Sequence, residues 1–257
     1  VCDHNNTKRS PVYLSNIFHG NVIVSQCTFI MCKSKENNGN VLNCQGEADI
    51  IIESCKFINC GENSYQSIVK LYSKYEHSIK FTNCTFHFDN DIFSCYVFDT
   101  KSSVNLIFDH CAFIKCPITI INHEISSFQF TSNTVNSANK KIISINYLAF
   151  NLNISSNIFK NNVLIGSSFI KLIHKLNEIN LYNNTFSNIS SDSYNKLFSI
   201  YNGDDLKSNL FINDCKFIDN KNTQIGSLFS SRNLALVFKN CEFIGNNCTN
   251  RNGGALS

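Results

Sequence analysis

One arrangement of apolar and polar positions recurs along this chain. Two apolar residues separated by one position are followed, three residues later, by Cys or Asn and then by Phe. The first copy is VIVSQCTF from Val22, and the last is LVFKNCEF from Leu236. Alternation over so short a stretch is typical of a β-strand, and no segment shows the periodicity of a helix. The chain is therefore expected to be a series of short strands.

The copies follow one another at nearly constant spacing. The Cys or Asn of each copy, here called the Cys/Asn column, advances in steps of 28, 29, 27, 22, 24, 27, 31 and 26 residues. Such a period indicates a solenoid, in which each repeat buries its apolar face against the next. The Cys/Asn column consists of Cys27, Cys55, Cys84, Cys111, Asn133, Asn157, Asn184, Cys215 and Cys241. The Phe column, two residues further on, consists of Phe29, Phe57, Phe86, Phe113, Val135, Phe159, Phe186, Phe217 and Phe243.

A second strand signal follows in each repeat, in most of them about a dozen residues after the Cys/Asn position. Its apolar pairs are Val41-Leu42, Ile68-Val69, Val97-Phe98, Thr119-Ile120, Ile143 with Ser144, Phe169-Ile170, Leu197-Phe198, Leu228-Phe229 and Ala255-Leu256. We predict an all-β fold, a right-handed parallel β-helix of about nine rungs of roughly 27 residues. Residues 1–257 are expected to form a single domain, as a fragment of a longer solenoid. An antiparallel sandwich would show no such period, and the signature of a leucine-rich solenoid is missing.

Stacking in register places like residues above one another, because successive parallel strands lie about 4.8 Å apart. The Phe column is accordingly expected in the core. The Cys/Asn column is expected at a bend, since Asn tolerates left-handed backbone geometry and can hydrogen-bond along a stack.

Two stretches resemble known repeat families. Residues 179–186, Ile-x-Leu-x-Asn-Asn-Thr-Phe, resemble the repeat of right-handed β-helix proteins such as pectate lyases. Residues 243–246 followed by Gly253-Gly254-Ala255-Leu256 resemble the paired FxxN and GGA(I/L/V) motifs of the polymorphic outer-membrane proteins. These are β-helical autotransporter adhesins with similar proteins on protist surfaces, so the resemblance implies an adhesive module of a cell-surface protein. Further FxxN matches are Phe159 with Asn162 and Phe217 with Asn220, whereas Phe57 has Cys60 in the Asn place.

Composition and charge narrow the classes of partner. The net charge is only +3, and no basic run or stripe is present, so nucleic acid is not an expected partner. No apolar stretch is long enough to span a bilayer, and no signal peptide opens the chain. Membrane anchoring is therefore expected only through parts outside this chain. Six Asn-x-Ser/Thr sequons fit a secreted or cell-surface protein, and they begin at Asn5, Asn83, Asn153, Asn183, Asn188 and Asn247.

The chain has 13 cysteines, an odd number, so they cannot all pair within it. Pairing across each C-x-F-x-x-C, as between Cys27 and Cys32, would leave Cys84, Cys215 and Cys241 without partners. Cysteine is favoured here as a small buried hydrophobic residue, and most thiols are expected to be free. Disulfides in one or two rungs remain an alternative. No metal or cofactor is expected, since neither a C-x-x-C motif nor a histidine cluster is present.

Many β-helices cleave acidic polysaccharides, so an enzyme is the main alternative to a contact module. Only three arginines occur, and the seven histidines are scattered, so each histidine is expected in a turn or at the surface. Asp204 and Asp205 form the one fragment that resembles a polygalacturonase motif, and the sequence of their loop predicts a turn. Lys216 and Glu242 are the one acid–base pair on neighbouring rungs in the outward column that follows the Cys/Asn position, where a weak salt bridge is expected. We therefore expect no enzymatic activity.

One outward column contains an unusual number of apolar residues. The residue between the paired apolar positions should point outward, and it is apolar in five of the nine copies. Strand propensity accounts for this, because β-branched residues suit strands, and the alternative is an apolar stripe covered by a flanking segment or a partner. The column reads Ile23, Ile51, Lys80, Ile107, Gln129, Asn153, Asn180, Phe211 and Val237.

We expect a non-catalytic structural or adhesive module at the cell surface or outside the cell. Its expected partner is a protein or a glycan of unknown identity. The alternatives are a segment of a carbohydrate-active β-helix enzyme whose catalytic rungs lie elsewhere, and a non-catalytic glycan-binding module.

Overall fold

A computed structural model shows an all-β parallel solenoid, which confirms the predicted fold class. It describes residues 12–32, 41–60, 67–72, 76–89, 96–100, 104–116, 118–121, 125–138, 143–145, 148–164, 170–173, 178–191, 198–201, 208–222, 229–232 and 234–248. In this part of the chain the strands form three sheets of sixteen, nine and four strands, in which all pairs are parallel. The handedness of the coil remains a prediction.

The strand bounds follow the repeat. The sixteen-stranded sheet contains Val12–Ser25, Leu42–Glu53, Ser67–Tyr72, His77–Thr82, Tyr96–Thr100, Val104–Asp109, Ile118–Ile121, Ile125–Thr131, Ile143–Ile145, Leu148–Ser155, Ile170–Ile173, Glu178–Tyr182, Phe198–Tyr201, Ser208–Asn213, Phe229–Arg232 and Leu234–Lys239. The nine-stranded sheet contains Thr28–Ile30, Lys56–Ile58, Thr85–His87, Ala112–Ile114, Thr134–Asn136, Ile158–Lys160, Thr185–Ser187, Lys216–Ile218 and Glu242–Ile244. The four-stranded sheet contains Val163–Leu164, Ser190–Ser191, Lys221–Asn222 and Asn247–Cys248.

The sixteen-stranded sheet has two arms that join at the long strand Leu42–Glu53. Residues 42–45 of this strand pair with Ser67–Tyr72, and residues 50–53 pair with His77–Thr82. The first arm continues from the former pair and holds the second strand signal of each repeat. The second arm continues from the latter pair and holds the strand that precedes the Cys/Asn column. The two arms and the nine-stranded sheet enclose the apolar core.

Each repeat turns a corner through a residue in the left-handed region, immediately before the Cys/Asn column. The sequence placed Asn itself in that geometry, which is wrong by one residue: the column residue follows the bend, and its side chain is buried in most repeats. The left-handed residues have φ between 52° and 57°, and they are Gln26, Ser54, Asn83, His110, Ser132, Ser156, Asn183, Asp214 and Asn240. A second left-handed corner follows the nine-stranded sheet in most repeats, as at Asn161 and Gly245.

Asparagines in the Cys/Asn column link adjacent rungs through both ends of their amides. The Nδ2 of Asn157 donates to the backbone O of Phe130 at 2.7 Å, and its Oδ1 accepts from the backbone N of Asn133 at 2.8 Å. Cysteines in the same column keep half of this pattern, since the Sγ of Cys84 donates to the backbone O of Ile52 at 3.4 Å. Both acceptors lie three residues before the column residue of the previous rung. Thiol and amide are therefore alternatives at one site, although only the amide also accepts from the backbone.

Phenylalanines of the Phe column stack ring on ring through the core. The centroids of Phe57 and Phe86 are 4.9 Å apart, and those of Phe159 and Phe186 are 5.0 Å apart. Where Val135 interrupts the column, Phe130 of the second arm fills the space, with its centroid 5.5 Å from Phe113 and 5.9 Å from Phe159. Phe29 and Phe243, at the two ends of the stack, are only partly buried.

Candidate functional site

The outward face of the second arm contains the candidate contact surface. Strand pairing aligns the nine residues of the outward column in register, from Ile23 through Ile51 to Val237. The side chains of Ile23, Phe211 and Val237 are 63%, 38% and 40% exposed. The middle of the column is polar, with Gln129 and Asn153 exposed to solvent. This face therefore has apolar ends and a polar centre.

A groove of about 370 Å³ lies in this polar centre. It forms where the pairing of strand Ile125–Thr131 shifts between Ile125 and Ser127, against both of its neighbouring strands. Ser126 lies at this register shift and lines the groove. Phe128 lines the groove, and its side chain is fully buried. The groove is lined by Glu76, Asn105, Ser126, Ser127, Phe128, Gln129, Asn151 and Asn153.

Hydrogen bonds hold one side of the groove in place. The Oγ of Ser127 donates to the Oδ1 of Asn105 at 2.7 Å. The Nδ2 of Asn105 in turn donates to the Oε1 of Glu76 at 3.1 Å. These three side chains come from three consecutive repeats and form one connected row across the rungs. Their positions are thereby coupled, which fixes the donors and acceptors presented along this edge of the groove.

The acid–base pair found in the sequence lies on a different face, on the nine-stranded sheet. The Nζ of Lys216 is 3.2 Å from the Oε1 of Glu242, and the two side chains are 50% and 52% exposed. An exposed pair of this kind contributes little to stability. Glycoside hydrolysis in most families needs two carboxylic groups at about 5–9.5 Å, and this pair supplies one.

One of the three histidines whose side chains the structure describes lies away from the surface. His77 is buried, with 6% of its surface exposed, because it begins strand His77–Thr82 and points towards the core. The sequence placed every histidine in a turn or at the surface, and alternation within this strand overrides that expectation. His110 is exposed at a left-handed corner, with Nδ1 2.8 Å from the Oδ1 of Asp109.

Several residues weighed in the sequence lie outside the described residues. They include Asp204, Asp205, Arg9, Arg251 and residues 253–256, the GGA motif. Within the described residues, no group of three or more His, Cys, Asp or Glu side chains could hold a metal ion. Nor does this part of the chain contain a helix with the length and apolarity of a membrane span.

None of the ten cysteines whose side chains the structure describes forms a disulfide, and most of them are buried. Burial raises the thiol pKa of Cys55 and of Cys215 from the ordinary value of 9.0 to about 11. In the stacked pair Cys84 and Cys111, a hydrogen bond between the two thiols lowers the pKa of Cys84 and raises that of Cys111. A thiol that keeps its proton is a poor nucleophile and a poor metal ligand. The buried thiols with raised pKa values, Cys44, Cys55, Cys111 and Cys215, are therefore packing residues.

Sequon asparagines within the described residues are all exposed to solvent. Asn83 and Asn183 are left-handed corner residues beside the Cys/Asn column, and Asn188 is a left-handed residue of the second corner. Asn153 lies in the outward column of the second arm, and Asn247 begins the last short strand. A glycan at any of these positions would project away from the core.

Comparison with known sequences does not assign a function to this surface. No protein-family model matches the chain, and no curated protein matches it in sequence. A parallel solenoid by itself does not identify a ligand, because one fold carries many functions. The chemistry of the outward face is therefore what indicates function.

Proposed function

We propose that this chain is a non-catalytic contact module of a cell-surface or secreted protein. The solenoid acts as a rigid spacer, and its outward faces and loops contact a protein or glycan. The observation that carries the proposal is the outward column of the second arm, where Ile23, Phe211 and Val237 are exposed. Exposed apolar surface is costly in water, and the neighbouring positions of Phe211 and Val237 on paired strands favour contact with a partner at that end of the face.

Rigidity of the stack supports the role of spacer. Asn157 and Asn184 tie three consecutive rungs together at the first corner, since the Oδ1 of Asn184 accepts from the backbone N of Asn157 at 3.0 Å. Asn220 and Asn246 do the same at the second corner, where the Oδ1 of Asn246 accepts from the backbone N of Asn220 at 3.0 Å. Buried hydrogen bonds of this kind hold neighbouring rungs at a fixed separation and rotation.

The FxxN motif supports the likeness to polymorphic outer-membrane adhesins. In Phe217-Ile218-Asp219-Asn220, Phe217 enters the core stack and Asn220 is fully buried after the corner. The Nδ2 of Asn220 donates to the backbone O of Phe186, the Phe of the previous rung, at 2.9 Å. The spacing of the motif therefore has a physical cause in this chain. The exposed sequons fit the same extracellular setting.

Catalysis is not part of the proposed function. Proton transfer to a substrate requires a positioned acid or base at the reacting group. On the described outward face of the second arm, the polar centre is dominated by the amides and hydroxyls of Gln129, Asn153 and Ser127, which neither accept nor release protons near neutral pH. The exposed side chains of Lys216 and Glu242 form an ion pair with each other on the nine-stranded sheet.

A binding assay with matched variants tests the contact function. Beads coated with the chain are expected to bind intact cells or extracellular-matrix surfaces saturably. Replacing Ile23 and Phe211 with serine should weaken binding, because it removes the exposed apolar side chains. Ile158→Ser, which removes an exposed isoleucine from the nine-stranded sheet, is the control and should bind as the parent does. Absence of saturable binding, or equal losses in both variants, would contradict the proposal.

A turnover assay tests the absence of catalysis. The chain is incubated with pectin, polygalacturonate, alginate and chondroitin, with and without calcium, and products are measured by reducing ends and by absorbance of unsaturated sugars. No product is expected. Reproducible turnover that disappears in Lys216→Ala or Asp205→Ala would show that the chain is an enzyme.

A further inference from the structure

We propose that the groove lined by Glu76, Asn105, Ser127, Gln129 and Asn153 binds a neutral glycan. This inference rests on the proposed contact function and names the class of ligand for one part of the contact face. The groove occupies the polar centre of that face, between its apolar ends. A volume of about 370 Å³ lies within the range of pockets that hold small ligands, about 300–1,000 Å³.

Side-chain amides in the groove match the hydroxyl groups of a sugar. Gln129, Asn151 and Asn153 are exposed, and none of their side-chain amides forms a hydrogen bond in the described part of the structure. An amide offers two donors and one acceptor oxygen, and each sugar hydroxyl both donates and accepts. Neighbouring hydroxyls of a pyranose ring can thus pair with amides on adjacent rungs without any charge on the protein.

Charge in the groove favours a neutral ligand. Glu76 is the one charged residue among the described residues of the lining, and its Oε1 already accepts a hydrogen bond from Asn105. Among the described residues that line the groove there is no lysine or arginine to pair with a carboxylate or sulfate, so a uronate or sulfated sugar would be repelled by the carboxylate of Glu76. The lining therefore disfavours the acidic polysaccharides that many enzymes of this fold cleave.

Order within the groove lowers the cost of binding. The row from Ser127 through Asn105 to Glu76 is already hydrogen-bonded, so these side chains lose little conformational freedom when a ligand arrives. Successive rungs are about 4.8 Å apart, which is close to the length of one pyranose unit. A glycan lying along the solenoid axis would place one sugar opposite each rung between Glu76 and Asn151.

The test uses unglycosylated chain made in bacteria, so that sequon Asn153 carries no sugar. The probes are neutral hexasaccharides of glucose, mannose, xylose and N-acetylglucosamine, and a galacturonate hexamer for comparison. Binding is detected by saturation-transfer NMR and quantified by calorimetry. At least one neutral hexasaccharide is expected to bind. Gln129→Ala and Asn151→Ala should each weaken its binding about two- to tenfold, as expected for loss of one or more hydrogen bonds.

Asn209→Ala is the matched control. Asn209 precedes Leu210 as Asn151 precedes Leu152, and both leucines pair with Ile179. Asn209 is exposed, is not among the residues that line the groove, and pairs with Ala235, so alanine fits at this position. Binding of the neutral sugar by this variant should equal that of the parent chain.

The outcomes separate this inference from the proposed function. Neutral sugars bound equally by the parent and both groove variants would overturn the groove assignment and leave the contact function in place. Preference for the galacturonate hexamer would overturn the charge argument. Binding to cells, proteins or peptides without binding to any neutral hexasaccharide would also overturn this inference alone. Absence of binding to cells, matrix and sugars together would overturn both proposals.

Discussion

The side chain of Asn157 spans the gap between its own rung and that of Asn133. Its Oδ1 accepts from the backbone N of Asn133 at 2.8 Å and from the Nδ2 of Asn133 at 3.2 Å. Both side chains are buried, so water cannot replace these bonds if they are lost. The corner that carries the Cys/Asn column is therefore held together by amide groups wherever Asn occupies the column.

Replacing Asn157 with alanine is expected to lower the free energy of unfolding by about 1–3 kcal/mol, because buried backbone groups lose their partners. Asn157→Cys should cost less, since a thiol can still donate to the backbone O of Phe130, as cysteines do elsewhere in the column. Asn153→Ala, at an exposed position on the same turn, is the control and should stay within about 0.5 kcal/mol. Urea unfolding measures all three. Equal stability of the alanine and cysteine variants would show that the hydrogen bond to Phe130 has no effect.

Phe86→Ala is expected to cost about 3–5 kcal/mol, because it opens a cavity in the middle of the ring stack. Phe86 lies between Phe57 and Phe113, with centroids 4.9 Å and 4.8 Å away. Phe211→Ala serves as control, since that ring is exposed on the outward face. Denaturant unfolding measures both variants, and the free energies of unfolding are compared using one common dependence on denaturant concentration. A loss at Phe211 as large as that at Phe86 would contradict the assignment of the Phe column to the core.

Stability is expected to fall as the pH rises from about 9 to 11. The folded chain holds the thiol pKa of Cys55 at about 11, whereas the unfolded chain releases that proton near pH 9.0. Between these values the folded state binds more protons than the unfolded state, so raising the pH favours unfolding. Cys55→Ser removes the titrating thiol and should reduce the decline, measured by urea unfolding at pH 7.5 and pH 10 with reductant present.

A second buried thiol of the same column extends the test. Burial also raises the pKa of Cys215 to about 11, so Cys215→Ser should reduce the decline as Cys55→Ser does. If Cys55→Ser and the parent chain lose stability in parallel, the decline comes from other groups and the burial of Cys55 does not control it.

The repeat in the sequence was sufficient to predict the fold class. A spacing near 27 residues and aligned Phe positions are local properties of the chain, and parallel stacking turns them directly into spatial columns. The pairing of Phe57 with Phe86, and of Lys216 with Glu242, follows from that spacing alone. The free thiols were also expected, because half of the first-column cysteines had no sequence partner.

Other features depended on contacts between rungs. The sequence aligned Ile143-Ser144 with Thr119-Ile120, whereas Ser144 pairs with Thr119 and Ile145 with Ile120. The burial of His77 likewise follows from its register in a strand whose alternate residues face the core. The space left by Val135 is filled by Phe130 from another sheet, which no alignment of repeats indicates.

The candidate groove is the clearest example of a feature that the sequence alone did not predict. Its side chains, Glu76, Asn105, Ser127 and Gln129, are unremarkable in the sequence, and none belongs to a recognised motif. They meet where the pairing of strand Ile125–Thr131 with each of its two neighbours shifts register between Ile125 and Ser127. The sequence by itself determined the solenoid, its stacked columns and the polar or apolar character of each outward position. Only the tertiary structure decided where the face is concave, because a register shift depends on how two strands pair and not on either strand alone.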